Sequence, residues 1–167
     1  SSAASDVYKR QTWDYDGVNE LVLADLTING QKTPVYMKAD RNGFFFVANR
    51  ESGKLISAEP FVPVNWAKGF DVANDKAIED PVKRPRMDYK ATDICPSWMG
   101  GKNWQPISFN PQTGLAYIPS NNMCQDMQLT NVDYRRGMFY LGNDFAVNPG
   151  HGDHLGQLLA IDPATQK

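Results

Sequence analysis

The sequence predicts an all-β fold built from short strands and tight turns. No stretch of a dozen residues shows a helical period, whereas short apolar runs recur along the 167 residues, separated by 13 Gly and 11 Pro. Hydrophobic residues make up 41% and charged residues 22%, a composition typical of a globular domain rather than a disordered or fibrous chain. The net charge of -2 offers no positive field to a phosphate backbone, so we expect no nucleic-acid partner.

Eight apolar runs are predicted as strands. In chain order they are Leu21–Leu26, Val35–Ala39, Phe44–Ala48, Leu55–Ala58, Ile107–Phe109, Leu115–Pro119, Met138–Leu141 and Gln157–Ile161. Asn29-Gly30 predicts the turn after the first run, and residues 40–43 (Asp-Arg-Asn-Gly) predict a hairpin, because an Asn-Gly pair accepts positive φ. Residues 70–93 are polar, charged and interrupted by Pro, so we interpret them as an excursion with a solvated face.

A weak repeat places one kind of turn after three of these runs. The copies are residues 49–53, 110–114 and 162–166, each beginning with Asn or Asp and ending in Gly or its replacement. The first side chain can cap the turn while the last residue takes the left-handed conformation. The copies are 61 and 52 residues apart, which favours propeller blades over a Greek-key sandwich, although a sandwich also scatters such turns.

The two ends are atypical of a complete chain. Residues 1–11 are polar and without period, and residues 5–11 match the in-frame translation of a common sequencing adapter. We therefore expect residues 1–11 to be adapter-derived or disordered, and residues 12–167 to be a partial domain truncated at both ends. The last run enters a turn at residues 163–167 with no later strand to pair with.

The densest group of candidate site residues is Trp13-Asp14-Tyr15-Asp16-Gly17. In an extended segment, Asp14 and Asp16 point to one side while Trp13 and Tyr15 point to the other. Two adjacent carboxylates repel each other, and a hard cation or a shared proton relieves the repulsion. On spacing alone, a turn over Asp16-Gly17 that Asp14 caps is the plainer interpretation.

Arg41 and Asn103 are candidates for ligand binding. Arg41 stands on a short, rigid turn, where its guanidinium can bind a carboxylate or an anionic ligand, although a solvent-facing turn Arg is the plainer interpretation. Asn103 and Trp104 follow Gly100-Gly101, a combination that suits either a planar ligand or the packing of a blade.

Cys95 and Cys124 are 29 residues apart without zinc-type spacing, so they predict either a disulfide or two buried thiols. His151 and His154 lack a third ligand in a Gly/Pro loop, and we do not expect a metal there. The motifs of nicotinamide, nucleotide and serine-hydrolase sites do not occur in the sequence.

Six motifs in order resemble the methanol/ethanol family of pyrroloquinoline-quinone-dependent alcohol dehydrogenases. They are Trp13–Glu20, Ala39–Phe44, Asp93–Ser97, Gly100–Trp104, Asn122–Cys124 and Ala160–Pro163. The resemblance runs from Trp13 to the last residue and implies about three blades of an eight-bladed propeller. It also implies a periplasmic enzyme that oxidises primary alcohols to aldehydes with this quinone and a metal ion.

The resemblance implies roles for individual residues. Asp14 matches the general base that also contacts the active-site metal, Arg41 matches the arginine at the quinone oxygens, and Asn103 matches an asparagine near the cofactor. Cys95 and Cys124 match a disulfide pair, which suits an oxidising periplasm. His154 falls in a stretch that looks structural in the family.

Asp16 bears on the choice of metal. Calcium-type methanol dehydrogenases tend to carry a small residue here, whereas lanthanide-dependent branches carry an extra aspartate. The resemblance therefore implies a lanthanide ion ligated by Asp14 and Asp16, with calcium as the alternative, because a trivalent hard ion gains from another carboxylate. Residues 101–104 are more similar to ethanol-type enzymes, so the preferred alcohol stays open.

The implied partners are a small alcohol as substrate and a c-type cytochrome as electron acceptor. A homodimer of the longer protein is a further possibility. The alternative function is a non-catalytic propeller that acts as a binding scaffold, because a fold alone does not imply an activity.

Overall fold

The computed structural model describes residues 11–138 and 140–167. The strands in this part of the chain are Val22–Ile28 (β1), Gln31–Ala39 (β2), Phe44–Asn49 (β3), Leu55–Pro60 (β4), Ala67–Asp71 (β5), Lys76–Glu79 (β6), Ala91–Ile94 (β7), Ser108–Asn110 (β8), Leu115–Asn121 (β9), Met123–Leu129 (β10), Asn143–Pro149 (β11) and Gly156–Ile161 (β12). Two short 3-10 turns occur at Gln11–Trp13 and Pro81–Lys83. Among these residues no helix is long and apolar enough to cross a membrane. Residues 1–10 of the predicted N-terminal segment lie outside the described residues, and Gln11 begins the first 3-10 turn.

The strands form four antiparallel sheets. One has the order β1-β2-β3-β4, a simple meander, and the others have the orders β11-β10-β7, β12-β9-β8 and β5-β6. In the meander, Ile28 pairs with Gln31 across Asn29-Gly30, whose φ angles of 51° and 78° are both positive. This is the two-residue turn that an Asn-Gly pair predicts. The hairpin over residues 40–43 is also present, with Asp40 N donating to Phe44 O at 3.0 Å.

The predicted repeat of turns is confirmed, and it has a fourth member at residues 71–75. In each turn the first residue's Oδ1 accepts a hydrogen bond from the backbone N–H two residues later, at 2.8–3.1 Å. The fifth residue has positive φ in every copy; these residues are Gly53, Asp75, Gly114 and Gln166. The fourth copy escapes the sequence pattern because Asn74 stands at the position where the other copies have Ser or Thr.

Seven of the eight predicted runs coincide with strands, and Met138–Leu141 is wrong. Met138, Tyr140 and Leu141 lie outside the strands, and Phe139 lies outside the described residues. The strand begins instead at Asn143, because β11 pairs residue by residue with β10, from Asn143 opposite Leu129 to Pro149 opposite Met123. The final run, β12, needs no later strand, since it pairs with β9.

The structure contains five strands that no predicted run covers, namely β5, β6, β7, β10 and β11. Residues 70–93, predicted as an excursion, hold the end of β5, all of β6 and most of β7. β10 carries Gln125 and Asp126 among its apolar residues, and the Gln125 side chain is buried. Pairing with two neighbouring strands therefore overrides the polar sequence of β10.

Two hydrophobic clusters lie on opposite faces of β3. Phe45 and Val47 belong to a larger cluster that extends from β1 and β2 to β9, whereas Phe44 belongs to a second one. We name this second group the aromatic cluster; its buried members are Trp13, Tyr15, Phe44, Trp66, Ala67, Ala91, Ile94 and Met127. The aromatic cluster lies directly beneath the candidate site.

Candidate active site

Asp14 and Asp16 are exposed, and the aromatic residues on either side of Asp14 are buried. Trp13 and Tyr15 pack on Trp66 with ring centroids 5.2 and 5.3 Å away, respectively. Trp13 Nε1 donates to Lys83 O at 2.8 Å, and the Tyr15 hydroxyl donates to Pro96 O. Burial raises the pKa of Tyr15 well above its usual range, so the hydroxyl keeps its proton for this bond.

The exposed aspartates and the buried aromatic residues alternate along the chain, although this segment is not a β-strand. Asp14 has a φ of 59° and directly follows the first 3-10 turn, and residues 15–20 contain no regular element. Asp16-Gly17 is therefore not a turn that Asp14 caps. The aromatic anchors fix the orientation of the two carboxylates instead, because each indole or phenol is held by both packing and a hydrogen bond.

Both carboxylates line an open cavity of about 600 Å³. The lining also includes Trp98, Met127 and Phe145, and the rings of Trp98 and Phe145 meet edge to face with centroids 5.6 Å apart. Residues 140–142, between β10 and β11, and Asn143, the first residue of β11, complete the lining. The cavity thus combines two acidic groups with several apolar side chains in its lining.

Arg41 is largely buried and is not a solvent-facing turn residue, since its side chain is 16% exposed. Its Nη2 donates to Asp14 Oδ2 at 3.3 Å and to the carbonyl of Trp98. The Arg41 backbone is fixed as well, because its N–H donates to Asp40 Oδ1 at 2.9 Å and its carbonyl accepts from Gly101 N at 2.9 Å. The structure therefore brings together Asp14 and Arg41, which are 27 residues apart in sequence.

Gly100 allows the loop of residues 97–101 to approach Arg41 closely. Its φ is 83°, and a Cβ at this position would lie 2.9 Å from both Cα and Cβ of Arg41. Any side chain would push Arg41 and the loop apart. The loop is fixed to β10 by Ser97 N, which donates to Met123 O at 2.7 Å, and by Trp98 N, which donates to the Oε1 of buried Gln125 at 2.9 Å.

Cys95 and Cys124 form a disulfide, with Cα atoms 4.4 Å apart. This confirms the pairing that the family resemblance implies. The bond joins the residue after β7 to β10, and Pro96, which accepts the Tyr15 hydrogen bond, follows it directly. The disulfide therefore supports the same loop that holds Arg41.

Asn103 does not line the cavity with Asp14 and Asp16. Its Nδ2 donates to Met99 O at 3.0 Å, so the amide braces the loop of residues 97–101. Trp104 is 79% exposed. Asn103 thus stabilises a loop beside the site, and its binding of the cofactor stays a prediction.

An ion pair between Lys102 and Glu20 is the main feature that sequence reasoning misses. Lys102 is fully buried, and its Nζ lies 3.2 Å from Glu20 Oε2, while Glu20 Oε1 accepts from Ile107 N at 2.6 Å. Burial alone would raise the pKa of Glu20, but hydrogen bonds from the Ile107 and Glu20 backbone N–H groups and from Lys102 lower this pKa below its usual range. A Lys beside two glycines gives no sequence signal for a partner 82 residues away.

Two buried N–H donors beside the carboxylates have no acceptor among the described residues: Arg41 Nε and Trp98 Nε1. Buried donors are normally satisfied, so these two fit a ligand rich in oxygen. Asp14 and Asp16 offer the oxygen donors that a hard cation prefers. The residues present therefore fit a metal ion and an oxygen-rich planar group at this place.

The two histidines do not share a site. His151 Nε2 lies 3.4 Å from Asp93 Oδ1, and His154 Nδ1 lies 3.3 Å from Asp153 Oδ1. The His151 and His154 carbonyls both accept from Asn122 Nδ2, at 2.8 and 3.0 Å. The backbone of this loop is thus structural.

The chain is similar to quinoprotein alcohol dehydrogenases along almost its whole length. It is 46% identical over 154 residues to the lanthanide-dependent methanol dehydrogenase of Methylacidiphilum fumariolicum (strain SolV), covering 90% of this chain and 25% of that protein. It is 40% identical over 163 residues to quinoprotein alcohol dehydrogenase PedE of Pseudomonas putida, covering 93% of this chain and 26% of PedE. The chain thus spans about a quarter of the length of the curated relatives it matches. No family model matches.

The structure matches a solved europium-containing methanol dehydrogenase with a TM-score of 0.87 and 46% sequence identity. The match covers 93% of this chain and 27% of the other. This likeness confirms the predicted fold class, part of a β-propeller.

Proposed function

From the premise that this chain is a homologue of the quinoprotein alcohol dehydrogenases over about a quarter of their length, we propose that it supplies part of the active site of such an enzyme. The reaction is the oxidation of a primary alcohol to an aldehyde. The cofactors are pyrroloquinoline quinone and a metal ion, a lanthanide with calcium as the alternative. The observation that carries the proposal is the ion pair between Asp14 and Arg41 at the edge of the acidic cavity.

Asp14 is the general base in this proposal. Arg41 engages Asp14 Oδ2, whereas Asp14 Oδ1 has no hydrogen-bond partner among the described residues. We therefore assign Oδ1 as the atom that takes the hydroxyl proton of the alcohol. The pair with Arg41 fixes the orientation of the carboxylate, which a general base requires.

Arg41 has a second role in this proposal, which is to bind an oxygen atom of the cofactor through its Nε. Its Nε is buried and has no acceptor among the residues that the structure describes, so a bound oxygen there would satisfy this donor. A guanidinium fixed by Asp14 and the Trp98 carbonyl needs no reorganisation to stabilise negative charge on such an oxygen. When bound, the quinone provides the carbon that accepts a hydride, and the metal polarises the quinone carbonyl as a Lewis acid.

Asp14 and Asp16 would hold the metal from this side of the cavity. Both are exposed into it, and hard cations with high coordination numbers prefer carboxylate oxygens. Asp16 forms no ion pair or hydrogen bond with another described residue, so its oxygens are available. A trivalent ion gains more than a divalent one from this additional charge.

The apolar wall of the cavity suits an alcohol with a short hydrocarbon chain. Trp98, Met127 and Phe145 line the same cavity as the carboxylates, so the alkyl group of an alcohol whose hydroxyl is directed at Asp14 can contact apolar side chains. We further propose a periplasmic location, a c-type cytochrome as electron acceptor and a homodimer of the longer protein. The disulfide supports the oxidising compartment.

The experiment compares variants of a protein of the relatives' full length that carries this segment, loaded with the quinone and lanthanum. We expect Asp14→Asn to lower alcohol oxidation by about 10²- to 10⁴-fold, the range for loss of a general base. Asp25→Asn is the matched control, because Asp25 in β1 pairs with Lys32 and Arg50 and does not line the cavity of Asp14 and Asp16. Equal activity of wild type and Asp14→Asn would contradict the proposal. No alcohol oxidation by the loaded wild type would favour the binding scaffold.

A further inference from the structure

One group of residues outside the proposed active site has the chemistry of a metal centre. Asp93 in β7, Cys95 after it, Cys124 in β10 and His151 after β11 each place one ligand atom within 4.8 Å of the others. The set consists of one carboxylate oxygen, two sulfurs and one imidazole nitrogen. Zinc takes donors of these kinds in tetrahedral sites.

Two edges of a tetrahedron are already present. Zinc bonds of about 2.0–2.3 Å require neighbouring ligand atoms to be about 3.4–3.8 Å apart. His151 Nε2 lies 3.4 Å from Asp93 Oδ1, and Cys95 Sγ lies 3.7 Å from the same oxygen. The sulfur–sulfur edge differs, because it is a covalent bond.

We propose that reduction of the Cys95–Cys124 disulfide converts these four residues into a zinc-binding site. The disulfide and the zinc centre are then alternative states of one place in the fold. A dithiol reductant supplies two electrons and two protons, which break the sulfur–sulfur bond and give two thiols, while the dithiol becomes a disulfide. Zinc then displaces the two thiol protons to solvent and bonds to Cys95 Sγ, Cys124 Sγ, Asp93 Oδ1 and His151 Nε2.

The surroundings of the four residues suit a charged metal centre. Two thiolates and one carboxylate around Zn²⁺ leave one net negative charge, and Lys83 Nζ lies 3.8 Å from the other Asp93 oxygen, Oδ2. Lys83 thus balances the charge and leaves Asp93 Oδ1 for the metal. The His151 and Asp93 side chains are 71% and 52% exposed, so the metal reaches them from solvent, while both cysteines are buried.

A hydrogen bond to the backbone holds His151 close to β10. Asn122, two residues before Cys124, donates from Nδ2 to the His151 carbonyl at 2.8 Å. Asp93 N donates to Asp126 Oδ1 at 2.9 Å, which fixes the Asp93 backbone against the same strand. The backbones at His151 and Asp93 are therefore held by hydrogen bonds that do not depend on the disulfide.

The test uses the full 167-residue chain with Co²⁺ as the spectroscopic probe. Half of a metal-free sample is reduced with a phosphine, which is then removed without air, and half is left oxidised. We expect the reduced chain to bind one Co²⁺ and to show a thiolate-to-cobalt absorption band, whereas the oxidised chain shows no such band. Addition of zinc should abolish the band, because zinc displaces cobalt. His151→Gln and Asp93→Asn should each weaken cobalt binding at least tenfold, while the matched control His154→Gln should bind like wild type.

Far-UV circular dichroism follows the fold in parallel. If the reduced chain loses structure without metal, recovery of that structure on addition of Zn²⁺ supports the proposal. Absence of the cobalt band in the reduced chain, whether folded or not, would overturn it. The proposal would also be overturned if His151→Gln and Asp93→Asn both bound cobalt with the affinity of the wild type. The cysteines would then bind cobalt without the other two ligands.

Discussion

The four capped turns and the candidate active site are both built on non-regular segments, yet their stabilising contacts differ in range. In the turns, the capping hydrogen bonds connect residues two to four positions apart, as between Asn49 and Gly53, although the Arg50 and Gln166 side chains also bond to distant residues. In the site, Asp14 meets Arg41 across 27 residues, Arg41 meets Trp98 across 57, and Tyr15 meets Pro96 across 81. The turns are therefore specified locally, whereas the site exists only when distant parts of the chain pack together.

The largest expected effect on stability comes from the anchor beneath the site. Trp66 contacts Trp13, Tyr15 and Phe44 and donates from Nε1 to Asn42 O at 2.8 Å. We expect Trp66→Ala to lower the free energy of unfolding by about 3–5 kcal/mol, measured by urea denaturation. Trp104→Ala is the control, because the exposed Trp104 should change this free energy by less than about 0.5 kcal/mol. Equal effects of the two substitutions would show that the aromatic cluster does not hold the site.

The disulfide ranks next. Replacing both Cys95 and Cys124 with Ala reopens a loop of 29 residues, which on the chain-entropy estimate costs about 3–4 kcal/mol of unfolding free energy. The measurement is denaturation in metal-free buffer with and without reductant. Reductant should destabilise the wild type and leave the double variant unchanged. If reductant has the same effect on both, the disulfide does not provide this stability.

A smaller effect concerns the Lys102–Glu20 pair and its dependence on pH. Because the pKa of Glu20 is lower in the folded protein than its ordinary value of 4.5, the ionised form stabilises the fold. This stabilisation is fully present above that value and is lost as the pH falls through the lower pKa of the folded state. Melting temperatures of wild type and Glu20→Gln should therefore converge as the pH decreases below 4.5. A difference that stays constant or widens toward low pH would contradict the assignment.

The smallest effect is expected in a capped turn. Asn110→Ala removes the acceptor for Gln112 N and should cost about 1 kcal/mol of unfolding free energy. Gln112→Ala is the matched control, because Gln112 contributes its backbone N–H, which Ala retains. A cost above about 3 kcal/mol for Asn110→Ala would mean that the turns also depend on distant contacts, and the contrast with the site would fail.

The same contrast explains how much was predictable from the sequence. The Asn29-Gly30 hairpin and three capped turns follow from residues that are adjacent in the chain, and the orientation of Asp14 and Asp16 follows from the buried Trp13 and Tyr15. The burial of Arg41 does not follow, because it depends on Gly100 and Trp98 approaching from another loop.

Polar residues in the interior were the hardest to predict. β10 is a strand because β7 and β11 flank it, although buried Gln125 interrupts its apolar pattern. Lys102 is buried because Glu20 and the Asn103 carbonyl satisfy its ammonium group. A buried polar side chain requires a hydrogen-bonding partner, and a single sequence does not identify that partner.

The proposal that Asp14 and Asp16 form one side of a lanthanide centre is tested most directly by the ratio of lanthanum-supported to calcium-supported kcat/KM for alcohol. The measurement uses a protein of the relatives' full length that carries this segment, and compares wild type with Asp16→Ala. We predict that Asp16→Ala lowers this ratio at least about tenfold, because the trivalent ion loses a carboxylate that the divalent ion does not need. An equal loss of activity with both metals, or an unchanged ratio, would contradict the assignment of Asp16 as a lanthanide ligand.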